Sequence, residues 1–593
     1  MTYKTIPEMF FQTVENNADK YSLFDKVNGV WEGKTFKEIG EAVELVGSGL
    51  KSLGIKRGDK IAILSNNSSR WAIADYSISG LGAIIVTVYP TLTNPHIKFI
   101  FNDSETKYAF VENEEQLEKT KSLVEECPNF KGFILMNDGD QSWQDVIGFS
   151  SLMEKGKSFK NESGFDLKDH SQSINENDLL TLIYTSGTTG NPKGAMLSHK
   201  NLVSNIVNGR KAINIGNQDV LLSFLPLSHS YERMAGHFSA FSGGARIYYA
   251  ESIESVGENM VEVRPTIMTS VPRLYEKMYA KIIDKVNNDP AIRQKIFWWA
   301  IKIGKLATPF LLKQERPTGM LGLKFGLAEK LVFSKIKEKV GGRLRFFASG
   351  GAPLSKEIAE FFASATILIL EGYGLTETSP VISINTPNKV KFGTVGKPIE
   401  GVEIKIAEDG EILCRGDNVM VGYFNNPEAT AEVIDENNWF HTGDIGEIDE
   451  DGFLRITDRK KNLIVTSGGK NVAPAPMENA LILSKYIEQS IVIGDKRNFI
   501  SALIVPAFEN LNQWAVEEGI NNDYLNNPKT IQLFEKEVRE AMKNFAKYES
   551  VKKFKLVPDE WSVDSGELTP TLKVKRKVVE KKYAELIDSI YKV

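Results

Sequence analysis

Apolar residues in the first half of the chain recur in two alternating rhythms. Ile39, Val43, Val46, Leu50 and Leu53 follow one another at spacings of four and three, one face of a helix, and Thr35 with Glu38 reads as the capping box that starts it. The helix is predicted over 35–53, the turn KRGD ends it, and a strand follows at Lys60–Leu64. The same alternation returns through residue 275, in SNIVNGRKAI before DVLLSFLP and in ENMVEVRPTIMTSVP. Continuous apolar strands between helices predict an α/β architecture with strands buried on both faces. After residue 390 the texture changes to short strands with Gly and Asp turns, as in GTVGKPIEGVEIKIAEDGEILCRG, which predicts a small β-rich subdomain. From about 462 onward, strands such as QSIVIGD and ISALIVP mix with long charged helices, a compact α+β pattern.

Length turns these rhythms into domains. A chain of 593 residues, 42% apolar, exceeds what one core spans. The expected division is a large N-terminal domain of layered α/β subdomains plus the β-rich subdomain, residues 1–458, and a smaller α+β C-terminal domain, 462–593, cut near DRKK. A net charge of −5 gives no global basic field for nucleic acid, so any anionic ligand must be held locally. Cys127 and Cys414 lack the spacing of a zinc or redox pair and read as buried thiols of a reducing cytoplasm. The first residues carry no secretory pattern, and the longest apolar runs, such as 77–90, fall short of the roughly twenty residues a membrane span needs. Residues 291–340 stand out: Phe297, Trp298, Trp299, Phe310, Leu311 and Leu312 are interleaved with Lys295, Lys302, Lys305, Lys313 and Arg316. Two readings stay open there, an aromatic face packed on its own domain or a peripheral membrane contact.

The chemistry is concentrated in YTSGTTGNPKG, residues 184–194, directly after the strand-like run Leu179–Ile183. Gly187, Gly190 and Gly194 let backbone approach a ligand, Thr185, Ser186, Thr188 and Thr189 offer hydroxyls, and Lys193 supplies a cation, a set suited to polyphosphate. It is not a Walker A loop, because Lys193 is flanked by Pro192 and Gly194 rather than followed by Ser or Thr at a helix start.

With this loop the chain resembles the adenylate-forming superfamily: acyl-CoA synthetases, firefly luciferase and the adenylation domains of nonribosomal peptide synthetases. Further motifs fit. EGYGLTETSP, 371–380, could present Tyr373 to adenine, Thr376 to the α-phosphate and Glu377 to magnesium, the roles the resemblance implies, with Gly374 also in the nucleotide site; read alone, it is also compatible with an ordinary turn. FFASGGAPLS, 346–355, ends a strand with Gly350, Gly351, Ala352 and Pro353, small residues that in the family line the adenine pocket. Asp444 in WFHTGDIGEID can accept from both ribose hydroxyls, and Arg459 can reach the ribose or α-phosphate. The resemblance implies that Lys461, two residues on, is the hinge of a mobile C-terminal domain, so that 459–461 joins the two parts. It places His229 of FLPLSHSYERM beside the acyl carboxylate, and notes Arg233 where some long-chain relatives carry a gating Trp. Lys573 in LTPTLK matches the catalytic lysine, and Gly468, Gly469 and Lys470 of SGGKNVAP match the wall of a pantetheine tunnel, with Val465 where several relatives carry a basic residue.

What the resemblance implies is ATP-dependent conversion of a carboxylic acid to its acyl-adenylate with release of pyrophosphate, then transfer to coenzyme A. Magnesium would be held by Glu377 and Thr185, and LSHSYER, VPRLYEKM, the basic insertion and LTPTLK point to long-chain fatty acids. A carrier-protein acceptor, another acid, or a binding protein without catalysis stay open as rivals.

Overall fold

A computed structural model describes residues 3–138, 145–185, 192–467, 470–520, 525–563, 565–569 and 572–592. The first long helix runs over Phe36–Ser52 with its capping box formed: Thr35 Oγ1 accepts from the Glu38 amide at 3.2 Å and the Glu38 carboxylate accepts from the Thr35 amide at 2.7 Å. Its apolar face, Ile39, Val43, Val46 and Leu50, is fully buried, and each such side chain contributes about 1.5–3 kcal/mol.

Two large sheets carry the N-terminal part. The first has eight strands, in the order 422–423, 193–198, 179–185, 84–88, 60–64, 106–111, 132–135 and 146–148. Its last six strands run parallel, and 193–198 and 422–423 close one edge antiparallel. The second has nine, in the order 397–398, 381–384, 369–374, 346–349, 267–270, 220–223, 246–249, 21–27 and 30–35. One core joins them, with Ile61 and Ile85 from the first sheet and Leu221, Ile247 and Phe346 from the second. The strands predicted at 60–64 and 179–183 are present, the latter extended to Thr185, and Ile61 through Leu64 are all buried, as parallel strands covered on both faces must be.

A four-stranded antiparallel sheet, Val402–Ile406, Glu411–Gly416, Phe440–Ile448 and Leu454–Arg459, forms the β-rich part. From Ile464 onward the chain has its own apolar cores around a sheet of Ile487–Ile493, Ser501–Pro506 and Lys553–Leu556. No described helix is long and apolar enough to cross a membrane.

Arg233 is buried. Its Nε lies 2.9 Å from Asp75 Oδ2, its Nη1 donates to Thr181 Oγ1 at 2.9 Å, and it sits over the rings of Trp71 and Phe238. It anchors a π-helical turn, Glu232–Phe238, in the core rather than gating anything. Glu232 in the same turn is also buried and accepts from Ser223 Oγ at 2.6 Å and Thr269 Oγ1 at 2.5 Å. Burial pushes its carboxyl up to about 7, against those two hydrogen bonds.

Candidate active site

The carboxyl ends of parallel strands from both sheets open on one cleft of about 2440 Å³, also lined from the C-terminal part by residues such as Leu568, Leu572 and Lys573. Open α/β sheets bind ligands at such strand ends. Strands Leu179–Thr185 and Lys193–Ser198 form a hairpin in which Thr185 pairs with Lys193, so the two ends of the glycine–threonine motif face each other across it. Ser186, Gly187, Thr188, Thr189 and Gly190 lie outside the described residues.

Lys193 Nζ stands 5.1 Å above the ring of Tyr423, whose hydroxyl donates to Glu377 Oε1 at 2.8 Å. Tyr423 reaches this place because Gly422–Tyr423 adds a two-residue strand to the hairpin's outer edge, pairing with Met196 and Ala195. A cation, a phenol and a carboxylate from three distant segments therefore share one wall. Thr376 is buried, and its Oγ1 lies 3.2 Å from Ser230 Oγ, which ties the 376–377 loop to the loop carrying His229.

The imidazole of His229 is held neutral. Its Nδ1 accepts from the Tyr231 amide at 3.1 Å, so Nε2 carries the remaining proton. Burial, and then the charge of Lys573, lower its pKa to about 3. Tyr231 in turn donates to the Ala348 carbonyl at 2.8 Å and lays its ring against Gly350. Gly350, Gly351, Ala352 and Pro353 all line the cleft. Gly351 has φ +85, where a side chain is strained, and a Cβ there would lie 3.7 Å from Lys573 Cε. The lysine's stem thus passes over this loop, and burial, followed by the charge of Arg459, lowers its pKa to about 8.

Tyr373 donates to Asp444 Oδ2 at 2.7 Å, and Arg459 Nε meets Asp444 Oδ1 at 3.0 Å across a strand pair that sets Asp444 opposite Arg459. Gly374 is required sterically: a Cβ there would sit 1.7 Å from the Pro380 carbonyl oxygen. Helix His199–Ile213, the π-helical turn and strand Val381–Ile384 contribute the apolar side chains of Ile213, Met234, Ala235, Val381 and Ile384 to the cleft wall.

Lys461 lines the cleft, in the turn between Arg459 and the strand Ile464–Val465. Lys470 is not among the lining residues; it is exposed, on the hairpin of 464–465 with 471–472, its Nζ 5.8 Å from the Tyr548 ring. Gly468 and Gly469 lie outside the described residues. Among the described residues no cluster of three or more His, Cys, Asp or Glu stands ready to hold a metal. Glu377 as a single carboxylate fits magnesium nonetheless, because that ion is commonly held by one or two carboxylates with substrate phosphates and water. Tyr423, Ser230 and Arg273, all on the cleft wall, were not singled out from the sequence; contacts between segments distant in the chain bring them in.

The model of the AMP-binding enzyme family matches residues 10–424, and the model of the AMP-binding enzyme C-terminal domain matches 461–593. The chain belongs to the AMP-binding enzyme family. It is 35% identical over 600 residues to the long-chain-fatty-acid–CoA ligase FadD15 of Mycobacterium bovis, covering 99% of this chain and 97% of that one. It is 33% identical over 623 residues to the peroxisomal long chain acyl-CoA synthetase 6 of Arabidopsis thaliana, at 99% and 86% coverage. Its fold matches the crystal structure of the anthranilate CoA ligase AuaEII in complex with anthranoyl-AMP, with a TM-score of 0.76 at 20% identity, over 99% and 98% of the two chains. In this AMP-binding enzyme the family's two matched segments meet around the cleft.

Proposed function

We propose that this protein is an AMP-forming acid:thiol ligase that activates a long-chain fatty acid with ATP and transfers it to coenzyme A. The observation that carries the reading is the convergence of Lys573, Lys193 and Glu377 on one cleft, with His229 and the apolar residues Ile213, Met234, Ala235, Val381 and Ile384 on its wall. Relatives at a third identity over nearly the whole chain bear that activity in their names.

A carboxylate is a poor electrophile, and adenylation turns one of its oxygens into part of a leaving group. The acid's oxygen attacks the α-phosphorus in line, a P–O bond forms, and the bond to pyrophosphate breaks. Lys193 faces the departing charge, Lys573 bridges the acid and the α-phosphate, and Thr376 donates to that phosphate. Thr185 and Glu377 would hold magnesium, which when bound would supply positive charge to offset that building on the departing phosphates. Tyr373 and the loop Gly350–Pro353 flank the adenine, with Gly374 giving the loop its close turn; Asp444 and Arg459 take the ribose. Residues 186–190 complete the phosphate loop. The Nε2–H of His229 meets the acyl carboxylate.

The division at 459–461 is part of the same reading. Lys461 is the hinge, residues 1–458 and 462–593 are the two moving parts, and rotation withdraws Lys573 while Gly468, Gly469 and Lys470 come to line the thiol's path. The thiolate then attacks the acyl carbonyl and AMP leaves. Supplying acid, ATP and magnesium with and without coenzyme A tests this: pyrophosphate release that depends on the acid, and acyl-CoA with AMP only when coenzyme A is present. Acyl-adenylate that coenzyme A does not discharge would move the acceptor to a carrier protein.

A further inference from the structure

Twenty-one large apolar side chains stand exposed among the described residues, and nine of them fall between Ile292 and Leu331. They are not scattered. Helix Ala291–Leu311 turns Phe297, Ala300, Ile301, Ile303 and Ala307 into the domain core, and helix Gly319–Ala328 packs on it through Phe325 and Ala328. The first helix also leaves Ile292, Ile296, Trp298, Leu306 and Phe310 exposed, outside that packed set. The second helix and the turn after it add Met320, Leu323, Leu327 and Leu331, with Met320 67% and Leu323 74% exposed. The two readings of this segment are thus divided between its faces: Phe297 packs inward, and Trp298 and Phe310 do not.

Charge on this surface opposes that of the molecule. Residues 291–340 hold eleven lysines and arginines against three glutamates, in a chain whose net charge is −5. Lys302, Lys305 and Lys324 on the two helices and Lys330 in the turn after them are exposed and make no ion pair among the described residues. Apolar side chains rimmed by unpaired lysines match a bilayer interface, where the alkyl groups enter the acyl boundary and the ammonium groups stay among headgroup phosphates. A second copy of this chain fits badly, because a two-fold contact would bring two such basic surfaces together.

We propose that the outward faces of helices Ala291–Leu311 and Gly319–Ala328 form a docking surface for an anionic lipid bilayer. The assignment goes beyond the ligase chemistry, and its assay contains neither ATP nor acid. Full-length protein is sedimented with vesicles of phosphatidylcholine, with and without phosphatidylglycerol, at low and high salt. The account expects binding to the anionic vesicles that weakens with salt. Lys302→Glu with Lys305→Glu should weaken it by about thirtyfold or more, and Leu323→Ser with Leu327→Ser should release the protein from the same vesicles. All four positions are exposed, so circular dichroism and acid-dependent pyrophosphate release in detergent should match the parent. Failure of the parent to bind anionic vesicles, equal binding by both variants, or a concentration-dependent dimer that the leucine variant dissolves would overturn the proposal.

Discussion

Arg273 is the side chain whose removal should separate the two half-reactions. It opens helix Pro272–Asn288 in the N-terminal part and reaches across to strand Ile487–Ile493, where its Nη1 donates to the Glu488 carbonyl at 2.7 Å and its Nη2 pairs with the Glu488 carboxylate. Glu276, one turn along its own helix, lies 3.5 Å away. Burial pushes the Glu276 carboxyl above its ordinary range, Arg273 opposes this, and Glu488 adds to it. The arginine therefore sits between two carboxylates, and Arg273→Ala would leave them facing each other. A hydrogen bond to a charged group contributes about 1.5–3 kcal/mol. Taking about 2 kcal/mol, the docked arrangement that puts Lys573 in the cleft loses up to about thirtyfold against its alternatives. Acid-dependent exchange of pyrophosphate into ATP should fall by as much as that factor. Transfer from synthetic acyl-adenylate to coenzyme A, which in the proposed rotation uses the other arrangement, should hold its rate or rise. Glu488→Ala should behave in the same way. Equal losses in both steps, or none in either, would refute the reasoning.

Lys573→Ala should abolish pyrophosphate exchange while leaving transfer from preformed acyl-adenylate within a fewfold of the parent. Because the free-enzyme lysine titrates at about 8, well below an ordinary lysine, and the cation is the working form, kcat/KM for exchange should be full below that pH and decline as pH rises through it; a profile flat to pH well above that value would contradict this. Asp75→Ala strands the buried Arg233 guanidinium, so urea unfolding should show a loss of about 3–5 kcal/mol. On the cleft wall, one helical turn before Ile213, a Cβ added at Gly209 meets nothing within 4 Å. Gly209→Phe should accordingly move the preferred acid to shorter chains on an acid panel, with little change for the shortest substrates.

Local signals in the sequence carried the fold well. The capping box at Thr35 and Glu38 and the apolar spacing after it name the helix Phe36–Ser52 almost to the residue, because both cap partners lie within one turn. Ser355 likewise starts the helix Lys356–Ser364 that follows the Gly350–Pro353 loop. What stayed hidden depends on distant pairing. Tyr423 meets Glu377 only through a strand of two residues, too short to leave an alternation in sequence, and Arg233 meets an aspartate 158 positions away. The irregular turn Glu232–Phe238 follows neither helix nor strand periodicity, since it is fixed by buried partners on strands Val220–Ser223 and Ile267–Ser270 and on the core side of the first sheet. In 291–340 composition revealed both lysines and aromatics but not which aromatics face outward; that required the packing of the two helices.

The ligase chemistry is tested most directly by incubating the purified protein with α-³²P-labelled ATP, magnesium and a long-chain fatty acid, and resolving the products before and after coenzyme A is added. The account predicts labelled acyl-adenylate and unlabelled pyrophosphate that form only with the acid, followed by labelled AMP and unlabelled acyl-CoA when the thiol arrives. Labelled ADP with orthophosphate, or pyrophosphate released at the same rate without acid, would contradict it.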